Sequence, residues 1–231
     1  EMLRSLVGSE MCIRDSGWET MPESFVDEYV EAILPIIERS DATDTGAARA
    51  ARANLRIVHT AMHGVGSATM LSAFESAGFT DVHSVKEQQE PDPDFPTVPF
   101  PNPEEKGAID LAAKLAEQVE ADLVIANDPD ADRCAAAIYD PRREAWRMLH
   151  GDELGLLLAT YIADHREVEG AFANSIVSSR SLGALAKARG YASTQTLTGF
   201  KWIARAHNIA FGYEEAIGSV SYTHLTLPTK A

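Results

Sequence analysis

The chain has 231 residues, of which 45% are hydrophobic and 24% charged, with a formal net charge of −15. That balance is ordinary for a globular protein, and the length predicts one or two domains. The negative charge argues against nucleic acid or an anionic membrane as a partner, and no apolar stretch is long enough to cross a bilayer.

The first element in chain order is a flank rather than a fold. Met11-Cys12-Ile13-Arg14-Asp15-Ser16 and Ser219-Val220-Ser221-Tyr222-Thr223-His224 can encode one another on opposite strands of DNA. This resembles the inverted ends of a transposon-type sequencing adapter. Residues 1–16 and 219–231 are therefore expected to be adapter-derived and are excluded from fold reasoning. Of the two cysteines, only Cys134 then remains. No intrachain disulfide is expected, and a reducing, cytoplasmic setting fits.

Pro22–Ile37 predicts an entry helix, with Phe25, Tyr29, Ile33 and Ile36 near one face. Ser40–Asn54 reads as a loop or short helix, and Leu55–Thr60 as a strand. Gly64 and Gly66 turn the chain into a helix over Ser67–Ala77, and Asp81–Val85 is a further strand. Gln88–Pro103 holds six of the eleven prolines, which excludes regular structure there. Glu104–Glu120 predicts an amphipathic helix that buries Ile109, Leu111, Leu115 and Val119. Strands follow at Ala121–Ala126, Ala135–Tyr139 and Trp146–Leu149. A second unit opens at Gly151. Its expected elements are a helix over Asp152–Ala163, a strand over Ala173–Ser178 and a helix over Leu182–Ala188. A strand over Tyr191–Leu197, a helix over Phe200–Ala206 and a strand over Ile209–Phe211 complete it. Alternation of strands and helices indicates layered α/β architecture.

Three loops carry possible chemistry. In Asn127-Asp128-Pro129-Asp130-Ala131-Asp132-Arg133 a carboxylate stands at every second position. Extended backbone would point Asp128, Asp130 and Asp132 the same way. Converging carboxylates need a cation, and an all-oxygen set suits Mg²⁺. A calcium EF-hand would need Gly and Glu at its sixth and twelfth positions, which are Arg133 and Tyr139 here. Thr196-Leu197-Thr198-Gly199-Phe200-Lys201 joins a strand to a helix, where backbone N–H groups and Lys201 suit a phosphate or sugar oxygen. Gly212-Tyr213-Glu214-Glu215-Ala216-Ile217-Gly218 offers neighbouring carboxylates to vicinal hydroxyls. His59 and His63 read as packed or hydrogen-bonded, with His63 the more open. Trp146 and Trp202 read as core residues.

The three loops, in this order, resemble those of the α-D-phosphohexomutase family, which includes phosphoglucomutases, phosphomannomutases and phosphopentomutase relatives. Thr60-Ala61-Met62-His63-Gly64-Val65-Gly66 and Gly151-Asp152-Glu153-Leu154-Gly155 also match the family. The resemblance implies two consecutive three-layer α/β/α domains, 17–149 as the second of four and 150–218 as a truncated third. It implies Mg²⁺ on Asp128, Asp130 and Asp132, completed by a phosphoserine oxygen from an absent first domain. Arg133 would lie at the transferred phosphoryl group, and Asp132 would also border the substrate. Thr198, Gly199, Lys201, Glu214 and Glu215 would face the phosphosugar, and His63 would line the cleft.

The implied reaction moves a phosphoryl group between the 1- and 6-positions of a hexose (or pentose) monophosphate. It passes through phosphoserine and a hexose 1,6-bisphosphate intermediate. Many members carry Ser where Ala216 stands, and a basic stretch expected after the Glu loop is replaced from Ser219 onward. The piece alone is expected to be inactive. Two other readings stand beside this one. In a haloacid-dehalogenase-type phosphatase, Asp128 would be the nucleophile and Asp130 the acid/base, although Asp132 stands where that motif wants Thr or Val. The other is a non-catalytic phosphosugar-binding module.

Overall fold

The computed structural model describes residues 22, 24–38, 46–165 and 168–221. The expected adapter segment 1–16 and most of 219–231 lie outside them. Helix α1 (Ser24–Glu38) is followed by α2 (Gly46–Asn54), β1 (Arg56–Thr60), α3 (Ser67–Ser76) and β2 (Asp81–Ser84). The proline-rich segment then runs as turns to α4 (Asp110–Val119), β3 (Leu123–Asn127), β4 (Cys134–Asp140) and β5 (Ala145–Met148).

These strands form one sheet in the order β2-β1-β3-β4-β5. The first three are parallel, and β4 and β5 return antiparallel. Val58 of β1 packs with Val124 and with Ala112 and Ala116 of α4, whereas His59, one residue on, lies edge-on against Phe74 of α3. Neighbouring strand residues face opposite sides, so α3 and α4 cover opposite faces and the unit has three layers. Val58 and Val124 are fully buried, and each such side chain contributes about 1.5–3 kcal/mol relative to exposure.

The second unit comprises α5 (Gly151–His165), β6 (Ala171–Ser175), α6 (Ser181–Ala188), β7 (Ala192–Thr196), α7 (Phe200–Ile203), β8 (Ile209–Glu214) and β9 (Gly218–Ser221). Its sheet runs β7-β6-β8-β9, with only β9 antiparallel. Phe172, Phe211 and Tyr213 pack with Ala159 and Ile162 of α5 and with Leu182 and Ala186 of α6. Gly212 turns the other way, and a Cβ there would stand 2.5 Å from Ile203 of α7. The layering of the first unit is repeated.

The structure corrects several sequence expectations. Among the described side chains of α1 the buried one is Val30, while Phe25 and Tyr29 are exposed, and the side chain of Ile36 lies outside those described. The helix expected from Glu104 starts at Asp110, because Gly107 at φ +86° and the turn Glu105–Ala108 hold the chain out of helix. On α4 the fully buried residues are Ala112 and Ala116, and the expected Ile109, Leu111, Leu115 and Val119 flank them half-buried. Small residues let that helix approach the sheet closely. Strand β6 begins and ends earlier than expected: a turn from Ser175 to Ser178 leaves Ile176 and Val177 in solvent. Helix α7 is a single turn. Strand β8 continues to Glu214 and pairs with β9 across the boundary expected at Gly218.

The two units meet along a narrow seam. Ile217, in the turn between β8 and β9, packs with Ala126 and Ala135 of the first sheet. The Cys134 N–H donates to the Ile217 carbonyl at 3.4 Å. Within the second unit, Gly151 at the start of α5 lies close against the Glu loop beside this seam, since a Cβ there would lie 1.9 Å from the Glu215 carbonyl oxygen.

Candidate functional site

The Asp loop leaves the end of β3 beside its parallel neighbour β1, and returns as β4. It is a tight turn, not extended chain. The Ala131 N–H donates to the Asp128 carbonyl at 3.0 Å, and Ala131 sits in the left-handed region at φ +58°. The three carboxylates converge, with one oxygen of each within 4.8 Å of the others. The turn produces this convergence, and not the strand alternation that the spacing predicts. A second loop braces it from below: Val65 N–H donates to the Pro129 carbonyl at 2.9 Å. Gly64 and Gly66 leave room for Pro129 and Ala131, because Cβ atoms there would stand 2.3 and 2.6 Å from them.

Asp128 is buried, and Arg133 engages both of its oxygens. The Arg133 backbone N–H donates to Oδ1 at 3.1 Å and Nε to Oδ2 at 2.6 Å. Asp130 and Asp132 are exposed, and Arg133 Nε also lies 3.7 Å from Asp132. Partial loss of solvent, then the charges of Asp128 and Asp130, raise the Asp132 carboxyl above the usual carboxylate range, with Arg133 opposing. Crowded negative charge of this kind favours a bound cation. The donors are all hard carboxylate oxygens, which fits Mg²⁺. Among the described residues this is the one such cluster of metal-ligating side chains.

The second unit presents its two loops at the same end of its sheet. Glu214 accepts a hydrogen bond from the Gly199 N–H and so joins the Glu loop to the Thr196–Lys201 loop. Gly199 has φ +105°, which favours glycine. Glu215 turns inward, where Ser175 and Ser178 each donate a hydroxyl to Oε2 at 2.7 Å. Burial pushes the Glu215 carboxyl up, but those two hydrogen bonds outweigh it and hold it below the usual range. Asp152 holds the strand before the loop, accepting from Tyr213 Oη and from the Ser179 N–H, both at 2.7 Å. Burial, then the bond to Asp152, raises the Tyr213 hydroxyl above its ordinary value.

Thr198 is exposed. Lys201 is also exposed, with Nζ 5.9 Å from the centre of the Trp202 ring. Trp202, expected in the core, is exposed and also carries Arg205 at 5.4 Å. Trp146 packs half-buried against the first core. His63 is buried, donating to or accepting from Thr97 Oγ1 at 2.8 Å, which ties it to the proline-rich segment. His59 is buried and bonded to Asn127. Cys134 is a free, exposed thiol at the start of β4. The seam at Cys134–Ile217 brings the Asp loop and the Glu loop together. Sequence reasoning missed the supports Asn127, Asp152, Ser175 and Ser178. Asn127 is signalled by its place beside Asp128, Asp152 by its place in the Gly151–Gly155 motif, and Ser175 and Ser178 by no pattern short of the fold.

Two family descriptions match this chain. Residues 27–140 match phosphoglucomutase/phosphomannomutase α/β/α domain II, and residues 150–228 match domain III. A Haemophilus influenzae protein named "Probable phosphomannomutase" is 41% identical over 201 residues, covering 87% of this chain and 41% of that protein. A Saccharomyces cerevisiae phosphoribomutase is 42% identical, covering 70% of this chain and 29% of its own length. A human phosphopentomutase is 41% identical, covering 71% and 30%. This chain therefore spans less than half the length of these curated relatives. In fold it is similar to a crystal structure of a phosphoglucomutase/phosphomannomutase family protein from Burkholderia thailandensis, with a TM-score of 0.67 at 16% identity over 87% of this chain and 40% of that one. The haloacid-dehalogenase reading has no support in these matches. The chain belongs to the phosphoglucomutase/phosphomannomutase family, and its two sheets are the family's second and third α/β/α domains.

Proposed function

We propose that this chain supplies the metal-binding and sugar-binding loops of a phosphosugar mutase. The observation that carries the reading is the convergence of Asp128, Asp130 and Asp132 at a seam shared with the Glu loop. The reaction is transfer of a phosphoryl group between two oxygens of a hexose or pentose monophosphate, by way of phosphoserine and a bisphosphate. The names of the relatives span phosphomannose, phosphoribose and phosphopentose chemistry, which supports the phosphosugar class.

Asp128, Asp130 and Asp132 would hold Mg²⁺, which neutralises charge on a phosphoryl oxygen when bound. Such catalysis rests on positioning and preorganised charge. Arg133 contributes a cation fixed by Asp128 through Nε, with its terminal nitrogens available to the phosphoryl group. The Thr198–Gly199 turn, clasped by Glu214, orients the sugar, and Lys201 adds positive charge for a phosphate. Glu215 and His63 support these loops from behind.

The phosphoserine donor of this reading lies outside the second and third family domains that this chain matches. The purified chain is therefore expected to show no turnover of glucose 1-phosphate or mannose 1-phosphate. Adapter-free resequencing of the locus and assay of the full-length product test the reading. Mutase activity that Asp130→Asn abolishes supports it. Turnover by this chain alone, or a full-length product that never carries phosphate on serine, contradicts it.

A further inference from the structure

Directly behind the Asp loop lies a buried polar chain that the proposed reaction does not use. His59 and Asn127 are almost wholly excluded from solvent. His59 Nε2 lies 3.1 Å from Asn127 Oδ1, and Asn127 Nδ2 donates to the Arg133 carbonyl at 2.9 Å. The directions of these bonds follow from chemistry. A carbonyl only accepts, so the amide nitrogen of Asn127 must face Arg133 and its oxygen must face His59. The oxygen only accepts too, so His59 Nε2 carries the hydrogen. The ring is then a neutral donor, and its other nitrogen, Nδ1, is buried without a partner. A buried polar atom left unpaired is costly, so Nδ1 adds nothing to holding the ring, whose one hydrogen bond is to Asn127. The Phe74 ring, 6.1 Å away and edge-on, packs against it.

Asn127 is the residue before the loop and Arg133 the residue after it. Their bond spans the base of the five-residue loop 128–132. Arg133 in turn grips Asp128 through its backbone N–H and Nε. Closure of the base and convergence of the carboxylates are therefore one geometric event.

We propose that His59 is a positioning residue for the metal loop. By fixing the amide of Asn127 in one orientation it keeps the loop closed and so sets its affinity for a divalent cation. This rests on the reading of Asp128, Asp130 and Asp132 as metal ligands. Partners behind metal ligands commonly change affinity by about 10–100-fold.

The test compares the whole chain with His59→Phe, His59→Gln and Asn127→Ala, each checked for folding by circular dichroism. Two readouts are taken: hydrogen exchange of the Arg133 backbone N–H without metal, and Mn²⁺ affinity by electron paramagnetic resonance. Phenylalanine keeps the ring but not the donor, whereas glutamine can still donate to Asn127. The expected result is exchange at least about tenfold faster and Mn²⁺ affinity about 10–100-fold weaker in His59→Phe and Asn127→Ala, with recovery in His59→Gln. If His59→Phe does not fold, His59→Leu, which also removes the donor to Asn127, carries the test. Unchanged exchange at Arg133 in folded His59→Phe or Asn127→Ala overturns the proposal, whatever the metal data. Faster exchange with no Mn²⁺ binding even in the unsubstituted chain overturns the metal reading while upholding the closure of the loop by His59.

Discussion

The Asp loop and the Glu loop sit at one seam but are held in different ways. The Asp loop is closed by its own neighbours: Asp128 bonds Arg133 five residues on, and Asn127 bonds the same residue from behind. The Glu loop is held from a distance. Ser175 and Ser178 reach Glu215 from β6 and its turn, Gly199 reaches Glu214, and Gly151 makes room for the Glu215 carbonyl. The three carboxylates proposed to share a cation are fixed locally, with Asp128 buried and Asp130 and Asp132 left facing solvent. Glu214 and Glu215 are used to tie separate segments together. The Asp loop depends on a few bracing residues of the first unit, His59, Gly64 and Val65, whereas the Glu loop, assembled from four segments, depends on the whole second unit.

The largest expected effect exploits that contrast. Gly151→Ala drives a methyl into the Glu215 carbonyl and should cost about 3 kcal/mol or more, at the upper end for overpacking, seen in urea denaturation as loss of the second unit. Gly64→Ala meets Pro129 at 2.3 Å, a somewhat less severe clash, and its damage should concentrate in the Asp loop and appear as lost Mn²⁺ binding with the second unit intact. Equal loss of both units in both variants would break the distinction.

Glu215→Gln comes next. It weakens the charged hydrogen bonds to Ser175 and Ser178 and should cost about 1–2 kcal/mol. Glu214→Gln should leave the denaturation midpoint nearly unchanged and loosen only the Gly199 turn, read as faster exchange of its N–H. A smaller effect depends on pH. Burial holds the His59 ring below its ordinary value, with the bond to Asn127 opposing. The unfolded chain then takes up a proton first as pH falls. The contribution of neutral His59 is full above about 6.5 and is lost as pH falls through the window below it. The stability advantage of the unsubstituted chain over His59→Phe should therefore shrink between pH 8 and pH 5 in urea midpoints. An advantage that grows on acidification contradicts the neutral-donor assignment. The smallest effect is expected from Arg189→Ala. Its ion pair with Asp164 is on the surface, far from either loop in the chain, and its removal should leave the midpoint and Mn²⁺ affinity unmoved.

The same contrast explains how much was legible in the sequence. The Asp triplet and Arg133 are contiguous, so their shared chemistry could be read from seven residues, although the turn at Ala131 that aims them could not. Most of the strand and helix order followed from hydrophobic periodicity; ends shifted where Gly107 and the Ser175–Ser178 turn override pattern, and strand β9 was missed because most of its residues were set aside as flank. The role of Glu215 was hidden because its partners lie 40 and 37 residues away. Nothing in Glu214-Glu215 says which of two adjacent carboxylates turns inward. Phe25 and Tyr29 misled because a helix with apolar residues on several faces does not announce which one packs, and Val30 is the residue that does.

The central claim is that the Asp loop is a divalent-cation site. Isothermal titration of the chain with Mg²⁺ tests it most directly, beside Asp130→Asn, whose side chain is exposed and makes no hydrogen bond among the described residues. The account predicts one saturable site that Asp130→Asn removes or weakens by at least about tenfold without moving the denaturation midpoint. Absence of binding in a folded chain, or binding that Asp130→Asn leaves untouched, would contradict it.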